Sequence, residues 1–203
     1  MEMSGLVPDR DRILEVALVV TDAELNTIAE APVFVLHQPD EVLDAMDSWN
    51  KSTHGRSGLV DKVRASTFTE AEVETRILDF LRPIVGERVA PLAGNTVHQD
   101  RRFMARYMPL FDAYLHYHIV DVSTLKELAP RWYPQALAKQ PSKNDSHRAL
   151  DDIRDSIEEL RYYRANVFTQ VATAANKISL PGIGRRLIHC FIAAPLARCE
   201  SRA

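Results

Sequence analysis

The stretch Arg12-Ile-Leu-Glu-Val-Ala-Leu-Val-Val-Thr21 decides the fold, because its β-branched and apolar residues are typical of a buried strand. A polar turn at residues 22–26 separates it from a second β-rich run at residues 29–37, and the two runs predict a β-hairpin. Helical and strand patterns alternate after the hairpin. This order predicts an α/β fold in which a mixed sheet is flanked by helices on both faces.

The later elements follow from hydrophobic spacing. Apolar residues at three- and four-residue intervals predict helices at residues 39–50, 69–84, 99–107 and 124–132, and a last one that begins at about residue 144. Short apolar runs predict strands at residues 89–93 and 119–122. Thr69 and Glu72 have the spacing of a capping box at the start of the second helix.

Composition limits the class of protein. A chain of 203 residues that is 46% hydrophobic and 26% charged has the size of one substantial globular domain. The net charge of −3 argues against a nonspecific polyanion binder but allows a nuclease whose carboxylates hold cations. With only Cys190 and Cys199, the fold does not rest on disulfides, and no signal peptide or membrane-spanning run is present. We therefore expect a soluble, cytoplasmic protein.

The carboxyl-terminal residues differ in character from the rest. Residues 168–203 contain five basic residues and one acidic residue, which gives this segment a charge of +4. The sequence therefore predicts one main domain at residues 1–167 and an appended, poorly packed tail at residues 168–203. An interfacial membrane anchor is the alternative for the tail.

Three carboxylates and one imidazole stand at informative places. Asp100 follows a strand and a Gly-Asn turn, where α/β folds keep their ligands; Asp152 lies in the first turn of the last helix, five residues after His147; and Glu2 precedes a glycine turn. Each Asp alone would be explained by helix capping or by the helix dipole. As a set without cysteine they favour Mg²⁺ or Mn²⁺, the cations of two-metal phosphoryl hydrolysis.

Four motifs carry a resemblance to a known family. They are Glu2-Met-Ser-Gly-Leu6, Gly94-Asn-x4-Asp100-Arg-Arg-Phe103, Tyr117-x3-Asp121-Val-Ser-Thr-Leu-Lys-Glu-Leu128 and His147-x4-Asp152-Ile-Arg154. In this order and spacing, over residues 1 to about 167, the chain resembles oligoribonucleases, the histidine-base branch of the DEDD 3′→5′ exonucleases with a ribonuclease-H-like fold. The resemblance implies a homodimer that degrades short single-stranded RNA of about 2–5 nucleotides, especially dinucleotides, to 5′-mononucleotides with two Mg²⁺ or Mn²⁺ ions per active site.

The resemblance also implies roles for single residues. Glu2, Asp100 and Asp152 match metal ligands, and His147 matches the general base. Leu6 and Trp49 match apolar contacts to the bases, although for Trp49 alone core packing would be the better interpretation. The remaining matches concern phosphate contacts: Thr96, His54 and Tyr117 match a cap on the 5′-phosphate, and His118 stands where the family commonly has Arg. Asp121 is interpreted as a strand-end or N-cap residue.

The chain departs from the family at its start. The family's first motif is Asp-x-Glu on a central strand, and Met1 occupies the x position here. We therefore expect a truncated first central strand, unpaired ladder positions along residues 12–21, and a poorly soluble, nearly inactive chain. A misassigned start codon would explain the departure. The alternatives are a catalytically impaired ribonuclease-H-like module that binds nucleic acid, and a live enzyme with a basic regulatory tail.

Overall fold

The computed structural model describes residues 1–137, 149–168 and 186–189. The strands are β1 (Glu2–Met3), β2 (Ile13–Val16), β3 (Val19–Asp22), β4 (Thr27–Glu30), β5 (Phe34–Val35), β6 (Pro91–Gly94), β7 (His116–Asp121) and β8 (Arg186–His189). The helices are α1 (Asp40–Asp44), α2 (Ser48–Arg56), α3 (Leu59–Ala65), α4 (Glu70–Leu81), α5 (Val97–Tyr107), α6 (Pro109–Tyr114), α7 (Val122–Trp132), α8 (Pro134–Leu137) and α9 (Ala149–Asn166).

The predicted hairpin is present, but its first strand is divided. Residues 12–21 form β2 and β3, which lie in different sheets: one of order β1-β2-β5 and one of order β4-β3-β8-β6-β7. β2 pairs antiparallel with β5, and β3 pairs antiparallel with β4. The larger sheet also contains parallel pairs, so the prediction of an α/β fold with a mixed sheet is confirmed.

The helices cover both faces of the larger sheet. Val20, Ile188 and Leu92 pack into a cluster with residues of α4, α5 and α6, whereas Val19 packs with residues of α7 and α9. Successive side chains of a strand point to opposite faces, which is why neighbours on β3 join different clusters. The fold thus has three layers, with the sheet in the middle.

The starts of the helices can be compared with the capping residues and the hydrophobic spacing that predicted them. Thr69 and Glu72 form the predicted capping box of α4, which is confirmed. The single helix predicted at residues 39–50 is wrong, because the chain breaks there into α1 and α2 and Asp47 accepts a hydrogen bond from the Asn50 N–H at the new start. The predicted start of the last helix near residue 144 falls outside the described residues.

The centre of the larger sheet is occupied by the tail segment β8. It runs antiparallel to β3 and parallel to β6, with Ile188 opposite both Val20 and Leu92. The expectation of unpaired ladder positions along residues 12–21 is therefore wrong for Val19–Thr21, and it is also wrong for Glu15, which pairs with both β1 and β5. The predicted poor packing of the tail is likewise wrong for β8, whose Ile188 is fully buried.

Most of the tail falls outside the described residues, and with it the alternative of an interfacial anchor. Within the described ranges, no helix combines the length and the apolar character that a membrane crossing requires.

One residue of β8 makes the central strand sensitive to pH. His189 is fully buried, and its Nε2 lies 3.0 Å from the Thr21 hydroxyl. Burial, with a smaller contribution from the positive charge of Arg161, lowers the pKa of His189 from 6.5 to about 4. The folded chain therefore holds a neutral imidazole over a range in which the unfolded chain binds a proton.

We expect acidification to destabilise the fold through this histidine. Between pH 7 and pH 5 the imidazole of His189 becomes protonated in the unfolded state but stays neutral in the folded state. His189 should therefore make the free energy of unfolding about 2 kcal/mol lower at pH 5 than at pH 7. The stabilisation is complete above about pH 6.5 and is lost as the pH falls toward 4. Urea denaturation of the parent chain and His189→Gln at both pH values checks this, and equal pH dependence in the two proteins would contradict it.

Candidate active site

Glu2 lies on β1, at the end of the smaller sheet. Its side chain is only 3% exposed, and its position in the ladder is directly opposite Glu15 of β2. A tight turn follows, because the Asp11 carboxylate accepts a hydrogen bond from the Val7 N–H at 2.9 Å and packs on Gly5. A β-carbon at Gly5 would come within 2.3 Å of Asp11 Oδ2, so the turn requires glycine there.

Asp100 enters the site from the larger sheet. β6 ends at Gly94, whose φ of +145° is a conformation open to glycine alone, and α5 then carries Asp100 in its first turn. Asp100 is fully buried, and its Oδ1 accepts a hydrogen bond from the Met1 ammonium at 3.1 Å. This contact joins the start of the chain to the carboxyl edge of the sheet.

Asp152 completes a group of buried carboxylates. On α9 it is 9% exposed, whereas Asp151 and Asp155 are more accessible to solvent, as helical spacing predicts. Burial raises the pKa of Glu2 well above its usual value of 4.5; the Met1 ammonium opposes this, and the charges of Asp152, Glu15 and Asp100 raise the pKa further. Asp152 and Asp100 therefore both lie within electrostatic reach of Glu2.

This group suits hard divalent cations in its chemistry. All its donors are carboxylate oxygens, and the buried Glu2 Oε1 accepts no hydrogen bond. Across the described part of the chain, no three Asp, Glu, His or Cys side chains converge on one point closely enough to form a complete metal cage. Mg²⁺ does not need such a cage, since proteins commonly bind it through one or two carboxylates and leave its waters in place.

The structure describes the residues predicted to contact the nucleobases but not the predicted general base. His147 falls outside the described residues. Leu6 is 39% exposed and Trp49 is half-buried, so both side chains reach the surface. The core interpretation of Trp49 is therefore not supported.

Thr96 is held in an unusual backbone conformation between β6 and α5. Its φ of +57° lies in the left-handed region, which β-branched residues seldom adopt. Asp121 accepts hydrogen bonds from the N–H groups of Thr96 and Ser123, both at 2.9 Å, and the Thr96 hydroxyl lies 3.1 Å from the Ser123 hydroxyl. Asp121 is the N-cap of α7, as predicted, and it also fixes the position of Thr96.

The other residues assigned to phosphate contacts lie in different environments. His54 is buried, and its Nε2 donates a hydrogen bond to the Met3 carbonyl oxygen at 3.1 Å, so it holds the backbone of β1 in place. Tyr117 is 77% exposed on the edge strand β7, where it stacks on His116 with ring centroids 4.5 Å apart. His118 is exposed beside it, at a centroid distance of 4.1 Å.

Sequence reasoning missed a buried polar network that joins this region to α9. The Asn95 side-chain amide donates to the Ser156 hydroxyl at 2.9 Å and to the Glu159 carboxylate at 3.0 Å. Ser123 donates to the Asn95 carbonyl oxygen at 3.3 Å. Ser156 thus holds the end of β6, and the Gly-Asn turn was the local signal for this network.

Replacing Asp121 by Ala should destabilise the fold by about 2 kcal/mol, because two N–H groups would lose their acceptor and Thr96 would lose the contact that holds its backbone. Urea denaturation measures the loss. Asp9→Ala is the control, since Asp9 is exposed and its 3.5 Å ion pair with Arg106 lies at the surface. Equal losses in the two variants would contradict the role given to Asp121.

Comparison with known proteins gives a consistent result. A family model described as an exonuclease, RNase T, matches residues 1–160. An oligoribonuclease from Azoarcus sp. (strain BH72) is 63% identical over 166 residues, which cover 82% of this chain and 91% of the relative. Oligoribonucleases from Ralstonia nicotianae and Neisseria meningitidis serogroup A are 61% and 57% identical, over 84% and 81% of this chain and 78% and 87% of their own lengths.

Proposed function

We infer the function from one premise: the chain belongs to the RNase T family of exonucleases and, within it, to the oligoribonucleases. It is a 3′→5′ exoribonuclease that degrades short oligoribonucleotides. The observation that supports particular residues is electrostatic: Asp152 on α9 and Asp100 on α5 both act on the charge of the buried Glu2 on β1. The mixed α/β architecture agrees with a ribonuclease-H-like exonuclease fold.

The family is metal-dependent, and we propose that Glu2, Asp100 and Asp152 hold two Mg²⁺ or Mn²⁺ ions. Bound divalent cations supply positive charge at the scissile phosphate and lower the pKa of water. The three carboxylates would position these ions, and the low dielectric of the buried site would strengthen the attraction between the carboxylates and the ions. His147 would take the proton of the attacking water, because a neutral imidazole titrates near the working pH.

We propose that further residues of the family's motifs contact the substrate. Leu6 and Trp49 would contact the bases, and such apolar stacking tolerates any sequence. Thr96, His54 and Tyr117 would close the pocket around the 5′-phosphate of a dinucleotide. His118 would add a phosphate contact that strengthens on protonation, unlike the permanent charge of an arginine.

We also propose a twofold homodimer, with Tyr117 reaching the partner's site. Much of the run from Tyr107 to Tyr117 belongs to the core, since Met108, Phe111 and Tyr114 are buried. Leu110 and Tyr117 are exposed, and an exposed aromatic on an edge strand suits an interface. Light scattering at micromolar concentration tests the dimer.

The cytoplasmic location expected from the sequence stays a prediction.

Length selectivity is the direct test of this function. We expect hydrolysis of a 5′-phosphorylated RNA dinucleotide in Mn²⁺ to be much faster than that of a 20-mer, because a closed 5′-phosphate cap excludes further nucleotides. Tyr117→Ala should lower the rate on the dinucleotide more than the rate on the 20-mer. The expected loss on the dinucleotide is about 10-fold or more, because the hydrogen bond from the Tyr117 hydroxyl to the 5′-phosphate is charge-assisted. Product analysis by chromatography measures both rates.

Tyr133→Ala is the matched control, because Tyr133 is also an exposed tyrosine but lies at the end of α7. Equal rates on the dinucleotide and the 20-mer would contradict the cap. Tight dinucleotide binding without any hydrolysis would instead favour the alternative of an impaired binding module.

A further inference from the structure

The edge strand β7 contains a two-residue bulge. On the neighbouring strand β6, Pro91 lies opposite His116, and the next residue of β6 lies opposite Ile119. Tyr117 and His118 are therefore two extra residues on the β7 side of this pair. Bulges are common at sheet edges and beside active sites, where they redirect a side chain.

The side chains of the bulge do not alternate as they do in a regular strand. Successive side chains of a strand point to opposite faces of the sheet. Here the rings of His116 and Tyr117 stack with centroids 4.5 Å apart, and the ring of His118 lies 4.6 Å from the first and 4.1 Å from the second. The three consecutive rings can meet because the bulge turns the backbone between them.

His116 anchors the bulge through three hydrogen bonds. Its N–H donates to the Ala90 carbonyl oxygen at 3.0 Å, and its own carbonyl oxygen accepts from the Arg101 guanidinium at 2.9 Å. Its ring Nδ1 accepts a hydrogen bond from the His118 N–H at 3.1 Å. The backbone and the ring of His116 thus hold both ends of the bulge, with Tyr117 between them.

Arg101 connects the bulge to the helix that carries Asp100. The Arg101 Nε lies 2.5 Å from the carboxylate of Asp112 on α6, and Arg101 follows Asp100 directly on α5. The start of β7 is therefore fixed relative to a carboxylate of the site. At the other end of β7, Asp121 holds the backbone of Thr96. β7 thus supports residues of the proposed phosphate cap at both of its ends.

We propose that His116 is a positioning residue of the 5′-phosphate cap, and that it sets the orientation of Tyr117 by holding the bulge of β7. The ligand of the cap stays the terminal phosphate of a short oligoribonucleotide. His116 acts on it only through Tyr117, so it determines how strongly a dinucleotide is preferred over longer RNA. This inference rests on the proposed function and adds a specificity-determining residue to it.

Rates on two substrates test the inference. The selectivity ratio of the full chain in Mn²⁺ is kcat/KM for the 5′-phosphorylated RNA dinucleotide divided by kcat/KM for a 20-mer. His116→Ala should lower this ratio by about 10-fold, because a misplaced charge-assisted hydrogen bond loses most of its strength. A partly unfolded sample lowers both rates equally. An unchanged ratio would therefore assign His116 a structural role alone and overturn the inference.

His116→Asn is the conservative variant. The side-chain oxygen of asparagine can accept a hydrogen bond from the N–H two residues later, as Nδ1 of His116 does, so this variant should keep most of the selectivity ratio. His37→Ala is the control, since His37 is exposed and lies outside β7, and its ratio should equal that of the parent chain. Equal losses in the two His116 variants would overturn the inference.

A double-mutant cycle shows whether His116 acts through Tyr117. In a chain that already carries Tyr117→Ala, His116→Ala should lower the selectivity ratio little further, because the residue that it positions is absent. A further loss as large as that in the parent chain would overturn the inference. Light scattering of His116→Ala should match the parent chain; a change of assembly together with the lower ratio would assign His116 to a subunit interface instead.

The outcomes also distinguish this inference from the proposed function. If Tyr117→Ala keeps the selectivity ratio of the parent chain, the proposed cap is wrong and this inference fails with it. If Tyr117→Ala loses the preference for the dinucleotide and His116→Ala keeps it, His116 is rejected and the proposed function is unaffected.

Discussion

Glu2→Gln should lower kcat/KM for dinucleotide hydrolysis by about 10²–10³-fold or more, the loss typical of removing a preorganised charged group from an active site. The substitution keeps the shape of the side chain and removes only its charge. Glu2 is the carboxylate that Asp152, Glu15 and Asp100 all influence, so its loss weakens the field that would hold the cations. Steady-state rates with the RNA dinucleotide in Mn²⁺ measure the effect.

The fold of this variant should survive. Burial and the neighbouring carboxylates raise the pKa of Glu2, so the folded state favours the neutral form that Gln imitates. A group with a raised folded-state pKa lowers stability as the pH rises above its unfolded value, and Gln removes that loss. The free energy of unfolding at pH 7 should therefore be equal to or higher than that of the parent chain.

Glu24→Gln is the control for Glu2→Gln, because Glu24 is an exposed glutamate whose ion pair with Arg164 is 4.0 Å long. It should keep full activity. An active Glu2→Gln variant would show that the site is wrongly assigned, whereas an inactive and unfolded one would show that Glu2 supports the fold instead.

Ile188→Ala should produce the largest loss of stability, about 2–5 kcal/mol, which is the cost of deleting a large aliphatic side chain from a packed core. Ile188 is fully buried at the centre of the sheet, between Val20 and Leu92. The cost includes the cavity left behind as well as the lost burial of apolar surface. Urea denaturation at pH 7 measures it.

Ile28→Ala provides the matched control, since Ile28 is 44% exposed on the edge strand β4. It should lose less than about 1 kcal/mol. Similar small losses for both variants would mean that β8 does not occupy the sheet. A large loss for Ile188→Ala would place the functional domain boundary beyond residue 167, because the exonuclease sheet would depend on the tail.

Local patterns in the sequence determined a large part of this protein. The hairpin, the capping box of Thr69 and Glu72, and the helix that carries Asp100 each depend on residues within a few positions of one another. Interactions between residues a few positions apart can be predicted from the period of the hydrophobic residues and from the spacing of capping residues. The family motifs extend this to function, since the chain that carries them matches the exonuclease family over residues 1–160 and an oligoribonuclease at 63% identity over 166 residues.

Only the tertiary structure decided the central strand, the cap of α6 and the ionisation of the site. β8 pairs with β3, whose residues lie more than 160 positions earlier in the chain. The Glu74 carboxylate of α4 accepts hydrogen bonds from the N–H groups of Leu110 and Phe111 at the start of α6. The raised pKa of Glu2 depends on burial and on charges from other elements. Each of these depends on which distant segments come together and on how much water they exclude, and neither quantity is contained in local spacing.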